Sequence, residues 1–180
     1  MANPDVMHLM RPGSLQLTAL PPLSLYVHLP WCLKKCPYCD FNSHEMATTG
    51  LPEQQYLDAL VADLDAALAL VWGRTVHSIF IGGGTPSLFS PEAIDRLLAD
   101  IRARLRLSPA CEITLEANPG TFERDRFRAF RGAGVTRLSV GVQSFNDTHL
   151  KALGRVHDRA QALAAVEEAT QAFDTFILDL

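Results

Sequence analysis

Three of the four cysteines in this chain lie within eight residues, as Cys32, Cys36 and Cys39 in a C-x3-C-x2-C pattern. Three thiolates in one short loop suit a soft metal centre, either a 4Fe-4S cluster with one iron left open or zinc. A structural zinc ion takes a fourth protein ligand, and His44 has suitable spacing for it. A disulfide with one spare thiol is disfavoured because the sequence shows no secretory signal. The ligand type and spacing favour the cluster over zinc.

The composition is that of a folded domain and excludes several classes of protein. The 180 residues are 48% hydrophobic, which is enough for one sizeable core, and the net charge of −4 gives no nucleic-acid footprint. No apolar run approaches the roughly 20 residues of a membrane span. Residues 1–22 lack the pattern of a signal peptide and are predicted to form an extended leader before a domain over 23–180. Clustered, reduced cysteines then predict a cytoplasmic protein.

Strand-like and helix-like segments alternate along the chain from residue 23. Such alternation predicts an α/β fold in which crossover helices connect the strands of a parallel sheet. The last strand pattern reaches the end of the sequence, so we expect part of a larger barrel, truncated after about five strands. Predicted strands cover about 24–29, 77–81, 111–117, 137–142 and 173–180, and predicted helices cover about 53–73, 91–105, 122–131 and 158–172.

Polar or glycine-rich positions follow several of these strands, where ligands bind in parallel α/β proteins. The turn over 82–86, Gly-Gly-Gly-Thr-Pro, lets a ligand approach the backbone or simply makes a tight turn. Glu116 ends a buried strand, where its carboxylate requires a partner, either sugar hydroxyls or an arginine. Gln143 could reach the same sugar or cap a loop. Arg155 could bind a carboxylate, and Tyr38 could stack on a purine.

Six motifs follow one another from Ser24 onward: YVHLPWC, CPYCDFNSH, GGGTPS, LEANPG, GVQSF and LGRVH. With its C-x3-C-x-aromatic-C signature, the chain resembles the radical S-adenosylmethionine (SAM) enzymes, and most closely the coproporphyrinogen oxidase-like branch. This resemblance implies a partial (β/α) radical-SAM barrel, with further barrel strands and a C-terminal domain beyond residue 180.

The resemblance also implies a role for each motif residue. Cys32, Cys36 and Cys39 would hold a 4Fe-4S cluster whose open iron is chelated by SAM. Gly83, Gly84 and Thr85 would line the methionine end of SAM. The remaining contacts implied are Glu116 and Gln143 to the ribose, Arg155 to the methionine carboxylate, aromatic contacts from Tyr26 and Tyr38, and a late acidic contact from Asp179.

One departure separates two branches of this family. Oxygen-independent coproporphyrinogen III oxidases carry a further cysteine two residues after the third, where this chain has Phe41. Phe41 therefore favours a resemblance to the HemW-type haem chaperones, which bind haem and deliver it to haem proteins. The implied partners are haem, a haem-accepting protein and an electron donor, with membrane contact only through an acceptor. The oxidative decarboxylation of a porphyrinogen and a structural zinc module stay as alternatives.

Overall fold

A parallel sheet of five strands forms the centre of the fold, and helices connect its strands. The structure is a computed structural model that describes residues 19–48, 50–121 and 125–180. The strands are β1 (Leu23–Leu29), β2 (Trp31–Cys32), β3 (His44–Glu45), β4 (Thr75–Gly83), β5 (Arg106–Ala117), β6 (Arg137–Gly141) and β7 (Phe176–Asp179). The α-helices are α1 (Glu53–Val71), α2 (Pro91–Arg104), α3 (Arg126–Ala133), α4 (Asp147–Ala152) and α5 (Arg159–Ala172). The predicted α/β fold with parallel strands and crossover helices is confirmed.

The order of the strands in the sheet is β1-β4-β5-β6-β7, and every neighbouring pair is parallel. Their carboxyl ends therefore meet at one edge of the sheet. The register at this edge pairs His28 with Gly82, Glu116 with Ser139, and Gly141 with Asp179. Residues that lie far apart in the sequence thus come together where parallel α/β proteins bind ligands.

The two faces of the sheet differ in polarity because side chains alternate along each strand. On one face, Ile81 and Leu115 are fully buried and belong to a hydrophobic cluster that includes Leu98 of α2. The opposite face is polar at its amino-terminal end, where the Ser78 hydroxyl donates to the Ser24 hydroxyl at 2.8 Å. The polar face also carries the strand-end residues that form the candidate site.

Side chains fix the beginnings of the helices. Ser90 precedes Pro91 of α2, and its hydroxyl oxygen accepts a hydrogen bond from the amide of Ala93 at 3.2 Å. The Glu53 carboxylate, at the first residue of α1, accepts from the Ser90 amide at 2.6 Å and from its hydroxyl at 2.8 Å. Asp158 and Gln161 form a reciprocal capping box at the start of α5. These caps anchor the helices behind the apolar face of the sheet.

Several predicted boundaries were wrong. Strand β5 begins at Arg106 rather than at residue 111, because residues 106–107 pair with Thr75 and Val76 across a register shift in β4. Helix α3 continues past Gly132 and ends before Gly134, whose φ of 108° suits only glycine well. The polar loop predicted after residue 145 contains α4, which Asn146 caps. Short strands β2 and β3 within the cysteine segment were not predicted.

Part of the sequence-based prediction concerns residues outside those described. Residues 1–18 of the predicted leader lie outside them, as do residues 122–124 of the predicted third helix. Residues 19–22 precede β1 without regular secondary structure. In the ranges that the structure describes, no helix is both long enough and apolar enough to cross a bilayer.

We expect Leu115→Ala to lower the free energy of unfolding by about 2–5 kcal/mol, the usual cost of a cavity at a buried leucine. The control is Leu70→Ala, because Leu70 on α1 is 84% exposed and its truncation should change stability by less than about 0.5 kcal/mol. Urea denaturation of both variants measures the difference. Equal losses for the two leucines would contradict the assignment of the core to this face of the sheet.

Candidate functional site

The segment that carries the three cysteines is a closed loop. Strands β2 and β3 pair in parallel, with Trp31 opposite His44 and Cys32 opposite Glu45. Their bonds to flanking residues close the base, since the His44 amide donates to the Pro30 carbonyl at 2.8 Å. At the tip, the Cys39 amide donates to the Cys36 carbonyl at 3.1 Å, which makes a tight turn between these two cysteines.

The cysteines of this loop are unpaired and line one cavity of about 340 Å³. Cys32 is buried, and Cys36 and Cys39 are half-buried. Cys111, on β5, does not line this cavity. The cavity is lined by Cys32, Lys34, Cys36, Tyr38, Cys39, Phe41, Gly83, Gly84, Thr85, Glu116, Ala117, Asn118, Ser139, Gly141, Gln143, Arg155 and Asp179.

A 4Fe-4S cluster and a zinc ion place different demands on the three thiols. All ligands of a zinc ion lie within about 2.3 Å of the ion, whereas a cluster takes each thiolate on a different iron. Over the described ranges, no group of three or more His, Cys, Asp or Glu side chains is placed to hold one metal ion. His44, the candidate fourth zinc ligand, is exposed and does not line the cavity. The fourth ligand that the zinc alternative requires is therefore not supplied to this cavity by His44.

The glycine turn is shaped by the cysteine loop beside it. A Cβ at Gly84 would lie 2.5 Å from the Trp31 carbonyl oxygen and 2.7 Å from the Pro30 carbonyl carbon. Gly83 has a φ of 121°, and a Cβ there would lie 2.8 Å from the His28 ring. The amide of Thr85 donates to the Trp31 carbonyl at 2.7 Å. Glycine is therefore required at these two positions because other atoms of the protein lie so close to them. The turn also lines the cavity.

Glu116 ends β5 with a largely buried carboxylate. Its Oε2 accepts a hydrogen bond from the Gly83 amide at 3.1 Å. Burial raises the pKa of this carboxyl, Asp179 raises it further, and the Gly83 amide and His28 partly offset these effects. The salt bridges among the described residues include none between Glu116 and an arginine. The arginine alternative for this carboxylate is therefore not what the structure shows.

Gln143 and Asp179 meet beyond the ends of β6 and β7. Gln143 has a φ of 66°, an uncommon conformation for a residue with a side chain. Its backbone amide donates to the backbone carbonyl of Asp179 at 2.7 Å. The Asp179 carboxylate accepts from the Ser139 hydroxyl at 2.9 Å. Left-handed backbone of this kind is frequent at binding sites, where the surrounding structure holds it in place.

Arg155 reaches from the loop after α4 to the cysteine loop. Its Nη2 donates to the Gly141 carbonyl at 2.7 Å, and its Nη1 lies 3.3 Å from the Tyr38 hydroxyl and 3.5 Å from Cys36 Sγ. Its Nε is buried and has no hydrogen-bond partner within the described part of the chain. Burial raises the pKa of Tyr38 despite the nearby guanidinium, so the phenol keeps its proton at neutral pH. The guanidinium supplies a positive charge at the cavity wall.

Tyr26 differs from the other predicted site residues because it does not line the cavity. Its hydroxyl lies 2.9 Å from Nδ1 of His28, and its ring stacks on Phe80 with centroids 6.2 Å apart. A Cβ at Gly82 would touch both Tyr26 and Glu116, so the tyrosine lies next to the Glu116 end of the site. Every other predicted site residue lines the cavity: Cys32, Cys36, Cys39, Tyr38, Gly83, Gly84, Thr85, Glu116, Gln143, Arg155 and Asp179.

Sequence reasoning missed several residues of the cavity wall. Ser139 and Gly141 alternate with the apolar Leu138 and Val140 in β6, and this period of two was a signal that they share a face with Glu116. Asn118 follows β5 and is bonded to His157, a buried histidine whose other ring nitrogen lies 3.0 Å from the Val142 carbonyl. That histidine has partners on both nitrogens, which is typical of a structural role. Asn118 lies in the LEANPG motif, but no role was predicted for it from the sequence.

Comparison with known proteins agrees with this geometry. The chain is 52% identical over 166 residues to the heme chaperone HemW of Haemophilus influenzae, and 52% identical over 165 residues to that of Escherichia coli. These alignments cover 89% and 91% of this chain but 43% of each relative. Among solved structures, the coproporphyrinogen III oxidase HemN of Escherichia coli, a radical SAM enzyme, superposes with a TM-score of 0.78 at 34% identity. That match covers 87% of this chain and 37% of the oxidase.

The sequence profile of the Radical SAM superfamily matches residues 26–180, which include the closed cysteine loop and all five strands of the sheet except the first residues of β1. The chain spans less than half the length of the curated relatives described above. The match covers most of the chain, and the loop, sheet and cavity agree with it. This chain belongs to the radical SAM superfamily.

Proposed function

We propose that this chain is the cofactor-binding part of a haem chaperone, in which Cys32, Cys36 and Cys39 hold a 4Fe-4S cluster beside a bound SAM molecule. The observation that carries the proposal is the single cavity. It brings the three unpaired thiols together with the carboxylates of Glu116 and Asp179 at the carboxyl end of the sheet. Thiolates are the usual ligands of iron–sulfur clusters.

The charges of the cavity complement those of SAM. SAM carries a positive sulfonium, a positive ammonium and a negative carboxylate, so it needs both signs of charge around it. Glu116 and Asp179 supply negative charge, and Arg155 supplies a guanidinium that matches a carboxylate. Charge complementarity of this kind favours one orientation of the ligand.

We assign the contacts within the cavity on this basis. The Glu116 carboxylate would accept hydrogen bonds from the ribose hydroxyls, and the Gln143 side-chain amide would donate to them or accept from them. Arg155 would bind the methionine carboxylate. Gly83, Gly84 and Thr85 would line the methionine end, next to the cysteine loop on which they pack. Asp179 would face the positive charge of the ligand, Tyr38 would contact it from the cysteine loop, and Tyr26 would act from beside Glu116.

When bound, a 4Fe-4S cluster with SAM supplies one-electron chemistry at the sulfonium. The residues of this chain bind and orient the ligand and limit the access of water to it. Half-burial of Cys36 and Cys39 keeps the thiols near the surface, where a separate electron donor can approach. The unpaired, clustered thiols also favour a reducing compartment, and we propose the cytoplasm.

The haem chaperone assignment depends on Phe41 and on the relatives. Phe41 replaces the further cysteine that the oxygen-independent oxidases carry, and its side chain, 66% exposed, lines the cavity mouth. The curated relatives at 52% identity are named heme chaperones. We therefore propose haem as the cargo and a haem protein as its acceptor, and we assign no haem ligand within this chain.

A second candidate function is the oxidative decarboxylation of coproporphyrinogen III. The superposition on the oxidase HemN favours it, because the TM-score of 0.78 shows that the two proteins share this part of the fold. The two functions make opposite predictions for turnover. Conversion of coproporphyrinogen by the complete protein would contradict the chaperone proposal.

The experiment that tests the proposed function is anaerobic reconstitution of the complete protein with iron and sulfide, followed by absorption spectra before and after haem is added. We expect a brown cluster spectrum, a saturable haem band, and transfer of that haem to an apo-haem protein. A cluster spectrum without haem binding would contradict the chaperone role and leave the decarboxylase. Zinc in place of a cluster would contradict the cofactor assignment itself.

We expect Cys36→Ala to abolish the cluster, because two thiolates cannot hold three of its irons. Iron and sulfide analysis after reconstitution measures the loss, and far-ultraviolet circular dichroism checks that the helices remain. The matched control is Cys111→Ala, which removes the thiol that does not line the cavity and should leave the iron and sulfide content unchanged. A full complement of iron and sulfide in Cys36→Ala would show that the ligand assignment is wrong.

We expect Glu116→Gln to weaken SAM binding about 5- to 150-fold, which corresponds to the loss of about 1–3 kcal/mol from charge-assisted hydrogen bonds. Equilibrium binding to the reconstituted protein measures the change. Glu112→Gln is the control, because Glu112 lies on the same strand, pairs with Arg137 and does not line the cavity. An unchanged affinity of Glu116→Gln for SAM would show that Glu116 does not bind the ribose.

The same variant should stabilise the protein without its cofactors. Burial, and then Asp179, raise the pKa of Glu116 above its ordinary value of 4.5, so the folded protein binds this proton more tightly than the unfolded chain. The free energy of unfolding therefore falls as pH rises from 4.5 through the folded pKa. Glutamine removes this loss. We expect a higher melting temperature than wild type at pH 7–8, and a difference that shrinks toward pH 4, where the wild-type carboxyl is also neutral.

A further inference from the structure

Lys35 makes three hydrogen bonds across the cysteine loop. Its ammonium donates to the carbonyl oxygens of Phe41 and Ser43, both at 3.2 Å. Its backbone amide donates to Oε1 of Glu45 at 3.0 Å. The arm of the loop between Cys32 and Cys36 is thereby joined to the arm that runs from Cys39 to β3.

These bonds close a part of the loop that the main chain leaves open. The base is closed by β2 and β3, and the tip by the turn between Cys36 and Cys39. Between the base and the tip, the carbonyls of Phe41 and Ser43 accept hydrogen bonds from the Lys35 ammonium rather than from the backbone of a neighbouring strand. Bonds from an ammonium are stronger than those between neutral groups, and two carbonyls at equal distance fix the position of its nitrogen. The loop is thus held in one shape before any ligand arrives.

The link through Ser43 extends to a cysteine. Ser43 is 2% exposed, and its hydroxyl lies 3.9 Å from Cys39 Sγ and 3.5 Å from the Phe41 carbonyl that accepts from Lys35. The lysine therefore holds the backbone on the far side of Cys39, while its own position in the chain adjoins Cys36. The turn between Cys36 and Cys39 sets the spacing of these two cysteines, and the lysine ties the chain on either side of that turn together.

We propose that Lys35 is a positioning residue that presets the three thiols for cluster assembly. The proposal rests on the cluster assignment made above for Cys32, Cys36 and Cys39. Without the lysine contacts, the loop must lose conformational freedom when the cluster forms, and that loss of entropy opposes binding. With the contacts in place, folding of the loop has already met this cost. Lys35 touches no cofactor in this scheme and acts only through the loop.

The chain offers a matched control in the adjacent residue. Lys34 carries the same charge one position earlier, lines the cavity, and contributes neither of the two carbonyl contacts. Lys34→Met removes the same charge from the same loop, but from the wall of the cavity, so an effect of net charge on the cluster would be at least as large there as in Lys35→Met. Only Lys35→Met removes the two side-chain contacts across the loop, and it leaves the backbone bond to Glu45 in place. Lys35→Arg keeps a cation with several donors and should restore most of the effect.

The first test needs no cofactor. Hydrogen–deuterium exchange of the apoprotein is measured for peptides that cover residues 32–46, with circular dichroism as a check on the rest of the fold. We expect exchange about tenfold faster in Lys35→Met than in wild type or Lys34→Met, a factor equal to about 1.4 kcal/mol. Equal exchange in the two methionine variants would overturn the proposal, whatever the outcome of reconstitution.

The second test uses the reconstituted protein. We expect Lys35→Met to lose its cluster to an iron chelator about tenfold faster than Lys34→Met, and Lys35→Arg to resemble wild type. Equal rates of loss in Lys35→Met and Lys34→Met would overturn the role in cluster assembly. Failure of the wild type to bind a cluster at all would instead contradict the proposed function, and the exchange experiment separates these two failures.

Discussion

The register of the parallel sheet is the constraint on which the site depends. The pairing of Glu116 with Ser139 and of Gly141 with Asp179 places three strand ends around one cavity. Because side chains alternate with a period of two, a slip of one residue in β6 would move Ser139 to the apolar face and bury Val140 in the site. The hydrophobic cluster on the other face opposes such a slip. The core of the fold therefore fixes the geometry of the polar site.

The glycine turn transfers that geometry to the cysteine loop. Backbone atoms of Pro30 and Trp31 lie so close to Gly84 that no side chain fits between them. The bonds from Gly84 to Leu29 and from Thr85 to Trp31 join the end of β4 to the beginning of the loop. The three thiols are consequently held at a defined place relative to the sheet, although they lie on a loop rather than on a strand.

The sequence was sufficient to predict the parts of the fold that have a local signal. The alternation of strand-like and helix-like segments predicted the parallel α/β fold, and the predicted helix over 91–105 matches α2 to within one residue at each end. Other features depend on partners distant in the sequence. Arg106 is in a strand because β4 pairs with it, Tyr26 lies outside the cavity because its ring stacks on Phe80, and Lys35 acts through carbonyls. No local pattern carries that information.

The apoprotein holds its binding residues in states that are unfavourable without a ligand. Burial and the proximity of Asp179 oppose ionisation of Glu116, Gln143 has left-handed backbone, and the Nε of Arg155 is buried without a partner in the described part of the chain. Each of these features costs stability. A ligand that carries a cation and a carboxylate would offset two of them, because the cation would favour the ionised form of Glu116 and the carboxylate would accept from Arg155. These costs are concentrated at one cavity, while the apolar face of the same sheet is buried in a continuous hydrophobic cluster, and such local violations are expected at functional positions of a fold.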